Sequence, residues 1–234
     1  MKTLVVIPTF NEVLTVQGTI SRILALHPEL FVLVVDDNSP DGTGNLIRNL
    51  SLEDKRISLL SRQAKQGLGV AYLEGFEWAF KQGFDFIVEV DADGSHRPED
   101  LGLLLEKCSR SDLVIGSRWI PGGKVINWPA ARKLISRFGN GYARFMLGTE
   151  IADMTSGFRI YRASFLKQLV STPVSSHGYS FQVELAYRAS KKGQVVEVPI
   201  TFVERVSGQS KMTLAIVLEA LTKVTFWGLK RVIS

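Results

Sequence analysis

Cysteine is almost absent. Cys108 is the one thiol in 234 residues, so no disulfide can close within the chain and a thiolate zinc site is disfavoured. This fits a reducing compartment. Cys108 sits in a helical run with Leu103, Leu104 and Leu105, where a small apolar role suits it better than a reactive one.

Also missing is any run of 18 uncharged apolar residues, so no transmembrane helix is expected. The last 22 residues come nearest, but Glu219, Lys223, Lys230 and Arg231 interrupt them. The opening Met-Lys-Thr-Leu-Val-Val-Ile is broken too soon by Pro8 to read as a signal peptide. No internal repeat and no low-complexity linker divides the chain.

Acids are missing from one long stretch. Between Trp119 and Leu147 stand Lys124, Arg132, Lys133, Arg137 and Arg144 with no Asp or Glu, so the net charge of +5 is a local surplus. Such a surplus suits an anionic partner: nucleic acid, phospholipid or a phosphorylated substrate. The basic residues are not interleaved with aromatics on a sheet face, which argues against nucleic acid.

What is present is ordinary for a folded protein, with 45% hydrophobic and 22% charged residues. Short β-branched runs alternate with helix-period segments. Strands are expected at Leu4–Ile7, Phe31–Val35, Ile57–Leu60, Phe86–Val90 and Leu113–Ser117, with helices over 11–26, 42–50, 69–82 and 98–108 between them. The pattern predicts an α/β fold, a mostly parallel sheet flanked by helices. Further on, 129–147 reads as a long helix with apolar and basic faces, 195–203 as a late strand, and 214–233 as an amphipathic helix. We divide the chain into a catalytic unit, 1–212, and a C-terminal helix, 213–234, for membrane or partner contact.

In parallel sheets ligands bind beyond the carboxyl ends of the strands, and polar residues cluster there. The strand Phe86–Val90 runs into Asp91-Ala92-Asp93-Gly94-Ser95-His96. Two carboxylates one residue apart repel unless a cation lies between them, and hard oxygen ligands suit Mg²⁺ or Mn²⁺ together with substrate phosphate. The loops Pro8-Thr9-Phe10-Asn11-Glu12 and Asp36 to Thr43 follow two other strands. There Glu12 and Asp37 can accept hydrogen bonds from ribose hydroxyls or a base edge, while Asp41-Gly42-Thr43 reads equally as a turn and helix cap. Gly67-Leu68-Gly69 lacks the Lys-Ser/Thr of a phosphate-binding loop, and Tyr72 stands where the dinucleotide fingerprint needs its third glycine. It reads as a turn for close backbone approach.

Arg118 follows another strand, and Arg132 and Ser136, four apart, share a helix face. A guanidinium fork with a hydroxyl makes a phosphate cradle. Lys133 and Arg137 read as a solvated face. Arg205 with Ser207-Gly208-Gln209-Ser210-Lys211 is a second basic cluster.

Taken in order, Pro-Thr-Phe-Asn-Glu, Val-Asp-Asp-Asn-Ser-Pro-Asp-Gly-Thr, Gly-Leu-Gly, Asp-Ala-Asp, Gly-Ser-Arg, Trp-Pro-x-x-Arg, Thr-Ser-Gly-Phe-Arg and Ser-Gly-x-Ser-Lys resemble the dolichol-phosphate mannose synthases, including the bacterial polyprenol-phosphate enzymes. These are inverting family 2 glycosyltransferases of the GT-A fold. The resemblance covers residues 3 to 212. It implies transfer of mannose from GDP-mannose to a polyprenol monophosphate, with UDP-glucose as the alternative donor.

It further implies that Pro8, Phe10, Glu12, Val35 and Asp37 hold the nucleoside. Asp91 and Asp93 would hold the metal and, through it, the diphosphate, Ala92 would lie at the nucleotide sugar, and Arg205 and Lys211 would neutralise the donor phosphates. Arg118, Arg132 and Ser136 would bind the acceptor phosphate, and Asp153 would shape the sugar site. Asp91, Asp93, Arg118 and Arg132 would be the catalytic set. Ser95 stands where some members carry a Gln metal ligand. A phosphate monoester is already largely a dianion at neutral pH, so no strong base is needed, and His96 reads as structural. A lipid acceptor implies a peripheral place at the cytoplasmic membrane face, through the segment 128–147, the C-terminal segment, or a separate integral membrane partner. Either segment could instead pack on the core.

Overall fold

The computed structural model describes residues 1–174, 176, 178–204 and 214–233. The elements run β1 (Thr3–Thr9), α1 (Val16–Leu26), β2 (Phe31–Asp36), α2 (Thr43–Glu53), β3 (Ile57–Ser61), α3 (Leu68–Lys81), β4 (Phe86–Glu89), α4 (Leu101–Cys108) and β5 (Leu113–Ser117). Then follow β6 (Lys124–Ile126), α5 (Ala130–Leu147), β7 (Arg159–Arg162), α6 (Ala163–Val170), α7 (Gly178–Lys192), β8 (Val195–Pro199), β9 (Thr201–Val203) and α8 (Leu214–Ile233).

Seven strands form one sheet in the order β3-β2-β1-β4-β7-β5-β8, and β6 pairs with β9 in a small second sheet. All main-sheet pairings are parallel except those of β7, which runs antiparallel between β4 and β5. The strands bury both faces: one cluster gathers Leu4, Val6, Leu33 and Ile87 with α3 and α7, and the other gathers Val5, Ile7, Val32 and Val88 with α1 and α4. This two-sided burial explains the unbroken apolar runs of β1, β2 and β4. The strand order reverses at β1 and β4, so a crevice opens beyond their carboxyl ends, where ligands bind in such sheets.

Three expectations need correction. The helix expected from Asn11 starts at Val16, because residues 11–13 are tied instead to the β2–α2 loop: the Asn11 amide donates to Ser39 Oγ at 3.0 Å, Glu12 to Thr43 Oγ1 at 3.1 Å and Val13 to Asp41 Oδ2 at 3.1 Å. The expected strand over 195–203 splits at Ile200. Its amide donates to the Ser117 carbonyl, and β9 then leaves the main sheet for β6. Strand β7 was not foreseen; it is short and bounded by two arginines.

Helix α8 packs on α5 and α7. Tyr142 Oη and Thr225 Oγ1 lie 2.6 Å apart, Tyr187 stacks on Trp227 at 6.4 Å, and Val224 is buried. The proposed boundary at 212/213 lies outside the described residues.

Gly116 on β5 has no room for a side chain, since a Cβ there would lie 2.8 Å from Ile200 Cγ2 and 3.3 Å from the Phe158 carbonyl oxygen. Gly116→Ala is therefore expected to destabilise the fold by about 1–3 kcal/mol. Urea unfolding should show a lower midpoint at unchanged slope.

Candidate active site

Beyond β4 the chain turns through Asp91–His96. The Asp91 amide donates to His96 Nδ1 at 3.1 Å, and the Ser95 amide donates to Asp93 Oδ1 at 3.0 Å. Because Nδ1 accepts, the neutral His96 ring carries its proton on Nε2. The ring is buried and stacked on Phe158 at 5.1 Å. Burial holds its pKa below the ordinary value, against the pull of Asp91 and Asp93. A neutral ring fixed by a main-chain amide fits the structural role expected of His96.

Asp91 is half-exposed, Asp93 buried, and Ser95 buried with its Oγ lacking a hydrogen-bond partner among the described residues. Among those residues no cluster of three His, Cys, Asp or Glu side chains forms a cage. Two carboxylates and an orphaned hydroxyl, all oxygen donors, fit a hard divalent cation that takes its remaining ligands from phosphate and water.

Asp91, His96, Arg118, Arg132, Ser136 and Gln182 line one cavity of about 160 Å³. The acid after β4 and the basic residues after β5 and on α5 are thus brought together. The cavity's other wall is apolar, with Leu68, Ile135, Ala143, Val183, Leu221 and Val224.

Arg118 is almost wholly buried. Its Nε and Nη2 donate to the two oxygens of Asp153 at 2.7 and 2.6 Å, its main-chain amide adds a third bond at 2.9 Å, and Nη2 also reaches Thr155 Oγ1 at 2.8 Å. Asp153 is 0% exposed and does not itself line the cavity; it bears on the site through Arg118 and through Thr155, whose Oγ1 donates to Asp153 Oδ1 at 3.2 Å. Burial raises the Asp153 pKa, but the Arg118 charge and hydrogen bonds outweigh it and hold the carboxyl below its usual range. Glu197 of β8 fixes the loop from behind, accepting the Ala152 and Asp153 amides at 2.7 and 2.9 Å.

Arg132 is compensated differently. Its Nη1 lies 2.7 and 2.6 Å from the two oxygens of Glu204, and its guanidinium stacks over Trp128 at 4.1 Å. Trp128 and Phe202 pack edge to face at 5.4 Å, and Arg118 lies 5.5 and 5.4 Å from their ring centres. Aromatic faces thus back both guanidinium groups. Phe202 carries no motif, and Glu204 is separated from Arg132 by 72 positions; pairing across such a distance leaves no local signal.

The loops after β1 and β2 are zipped together, with Thr9 Oγ1 donating to Asp36 Oδ1 at 2.9 Å and Ser39 Oγ donating to the same oxygen at 2.6 Å. Asp37 pairs with Arg62, which also reaches Glu74 Oε1 at 3.0 Å. Burial, with repulsion from Asp36 and Glu74, holds the Asp37 pKa above its ordinary value despite Arg62. Phe10 carries Lys65 over its ring at 4.1 Å, while Pro8 and Glu12 are half-buried. The Val35 and Ala92 side chains are buried, so a nucleotide could meet these two residues only through their main chain. Asp41 accepts Thr43 N and Oγ1 at 2.9 and 2.6 Å, a turn that leads into α2, whose N-cap is Gly42. The close approach at Gly69 is to Phe181, whose Cδ2 would lie 2.9 Å from a Cβ there. Arg205 and Lys211 lie outside the described residues.

The sequence model of glycosyl transferase family 2 matches residues 4–170, which puts the chain in the class of GT-A glycosyltransferases. Over 230 residues it is 50% identical to an undecaprenyl-phosphate mannosyltransferase of Micrococcus luteus, covering 98% of this chain and 95% of the relative. It is 47% identical to a polyprenol monophosphomannose synthase of Mycolicibacterium smegmatis, covering 98% and 88%. Among solved structures it resembles a mannosyltransferase from Pyrobaculum calidifontis in complex with GDP-Man and Mn²⁺, with a TM-score of 0.62 at 16% identity, covering 99% of this chain and 64% of that one. The chain belongs to glycosyl transferase family 2, in its polyprenol-phosphate mannose synthase branch.

Asp153→Asn removes the charge that compensates a buried guanidinium. It is expected to cost about 3–5 kcal/mol of stability by chemical denaturation. With its pKa depressed in the folded state, Asp153 stabilises above the unfolded carboxylate pKa, and this contribution is lost as pH falls through the lower folded value. The variant's stability curve should lack that acid-side fall.

Proposed function

We propose that this cavity transfers mannose from GDP-mannose to the phosphate of a polyprenol monophosphate. The observation that carries the reading is that one cavity joins an acidic strand edge, a pair of arginines with a hydroxyl, and an apolar wall. These match a sugar diphosphate, a phosphate head group and a prenyl chain.

In this reading Pro8, Phe10, Glu12 and Asp37 contact the guanosine, Val35 meets it through its main chain, and the Ala92 main chain borders the nucleotide sugar. Asp91, Asp93 and Ser95 hold Mg²⁺ or Mn²⁺, which when bound neutralises the donor diphosphate. Arg205 and Lys211 add positive charge there. Arg118, Arg132 and Ser136 receive the acceptor phosphate. An acceptor phosphate oxygen attacks the anomeric carbon as the bond to the diphosphate oxygen breaks, GDP leaves, and the configuration inverts. The acceptor is mostly a dianion at neutral pH, so no side chain needs to take a proton. The protein's task is to let two anions approach, and charge fixed in a partly dry site is usually the largest catalytic contribution to such a task.

The membrane surface is the natural place for this reaction. No described helix is long and apolar enough to cross a membrane. Leu134, Phe138 and Phe145 on α5 and Phe226 and Leu229 on α8 are exposed, with exposed Arg137, Arg144 and Lys230 among them. An apolar row flanked by basic residues suits an anionic bilayer interface.

Incubation with GDP-mannose, Mg²⁺ or Mn²⁺ and a short-chain polyprenyl phosphate should give a product of the mannosyl phospholipid mass, and UDP-glucose should give little. Product only from UDP-glucose would refute the donor assignment. Asp91→Ala should lower the transfer rate about 10²–10³-fold. Phe138→Ser with Phe145→Ser, which spares the buried face of α5, should reduce flotation with anionic liposomes. Unchanged flotation would refute the interfacial role of α5.

A further inference from the structure

Gln182 on α7 is an amide withdrawn from water without an evident task. It is 2% exposed and lines the cavity, yet neither Oε1 nor Nε2 makes a hydrogen bond of ordinary geometry among the described residues. One amide N–H is directed at the buried Glu89 carboxyl and favours its charged form, which leaves the second N–H and the oxygen of the amide unspent. An amide carries two donors and one acceptor oxygen, and buried amides normally find partners.

Across from it the chain keeps a notch open. A Cβ at Gly157 would lie 3.5 Å from His96 Cε1, 3.8 Å from Asp91 Oδ1 and 3.9 Å from Gln182 Nε2. Gly157 is not among the residues with positive φ, and a Cβ there would make only ordinary van der Waals contact, so neither its backbone nor the packing around it requires glycine, and the gap stays open toward the cavity. Three polar side chains therefore converge on a gap of about one atom, beside the carboxylate assigned to the donor and in the cavity that holds the arginines assigned to the acceptor.

We infer that Gln182 is a specificity-determining residue that hydrogen-bonds a hydroxyl of the donor's sugar, with Gly157 left bare to admit it. The inference rests on the sugar-transfer reading above. Whatever lies between a donor diphosphate at Asp91 and an acceptor phosphate at Arg118 and Arg132 is the group being transferred, and its hydroxyls both donate and accept, as an amide needs. In the resting protein water can occupy the same notch. A polar pocket of this kind discriminates well, because a sugar lacking the matching hydroxyl leaves the amide unpaired.

The test is a chemical double-mutant cycle in the full chain. Wild type and Gln182→Met are assayed with GDP-mannose and its 2-, 3-, 4- and 6-deoxy forms, and GDP and GDP-mannose affinities are measured by calorimetry without acceptor. The wild type should lose about tenfold or more in kcat/KM with one deoxy donor, and Gln182→Met should erase that penalty. Gln182→Met should also narrow the gap between GDP-mannose and GDP affinity about tenfold while GDP affinity stays constant. Gly157→Ala, which fills the notch, should weaken GDP-mannose and spare GDP. The inference is overturned if every deoxy penalty survives in Gln182→Met, or if Gln182→Met lowers thermal stability and slows all donors equally, as a mere support for Glu89 would. Wild-type inactivity with GDP-mannose would sink the function itself, and the inference with it. An active wild type with an unchanged cycle sinks the inference alone.

Discussion

Arg118 is a cation taken almost wholly out of water, and the Asp153 carboxylate that compensates it is buried more deeply still. Such a pair contributes little net stability, because desolvating both charges offsets much of their attraction. What it contributes is placement. It ties the end of β5 to the loop before β7, across 35 positions of sequence, and Glu197 ties that loop to β8. Thr155, Gly157 and Arg159 follow directly, so the position of the cavity floor is inherited from this pair. Arg159 extends the same logic inward. Fully buried, it donates to the Ser156, Met154 and Gln182 carbonyls at 2.7, 2.7 and 2.9 Å, joining the loop to α7.

The sheet supplies the opposite wall for a different reason. Parallel strands end their apolar runs at a common edge, and the first polar residues after β1, β2 and β4 meet there whatever their spacing in sequence. Acids at that edge need cations, and Asp37 has Arg62. Beside Asp91 and Asp93 lies the buried Ser95 hydroxyl, which makes no hydrogen bond among the described residues, and three oxygen donors together suit a divalent cation.

This division also decides what the sequence could reveal. Strand-end acids follow from a local pattern, an apolar run that stops, and so Asp91, Asp93, Glu12 and Asp37 were legible, as were the first five strands and helices α5 and α8. Arg118, Arg132 and Ser136 were legible through charge and helical spacing. The contacts that fix those side chains were not, because Asp153, Glu204, Phe202 and Arg62 reach the site only through long-range packing. The antiparallel β7 escaped for a related reason. Its Arg159 looks like a surface residue in sequence but is satisfied by three carbonyls inside the fold, an environment that no local pattern announces. The same holds for Gln182, whose burial beside Glu89 no local pattern announces.

The two arginines of the cavity differ in a way that bears on how it can receive an anion. Arg118 is held by a wholly buried carboxylate with three hydrogen bonds and a neighbouring threonine, so an incoming phosphate there adds to an intact pair. Arg132 is half-buried and held by Glu204, itself partly exposed. Exchange at Arg132 returns a single carboxylate to water, where its solvation is recovered. A phosphate dianion carries nearly twice the charge of that carboxylate and more acceptor oxygens, so it competes at Arg132 on favourable terms. The Arg132 Nε lacks a partner among the described residues, and the Trp128 face keeps the guanidinium plane in place while partners change. In the proposed reading, Arg118 gives the acceptor phosphate a fixed place and Arg132 gives it exchangeable charge.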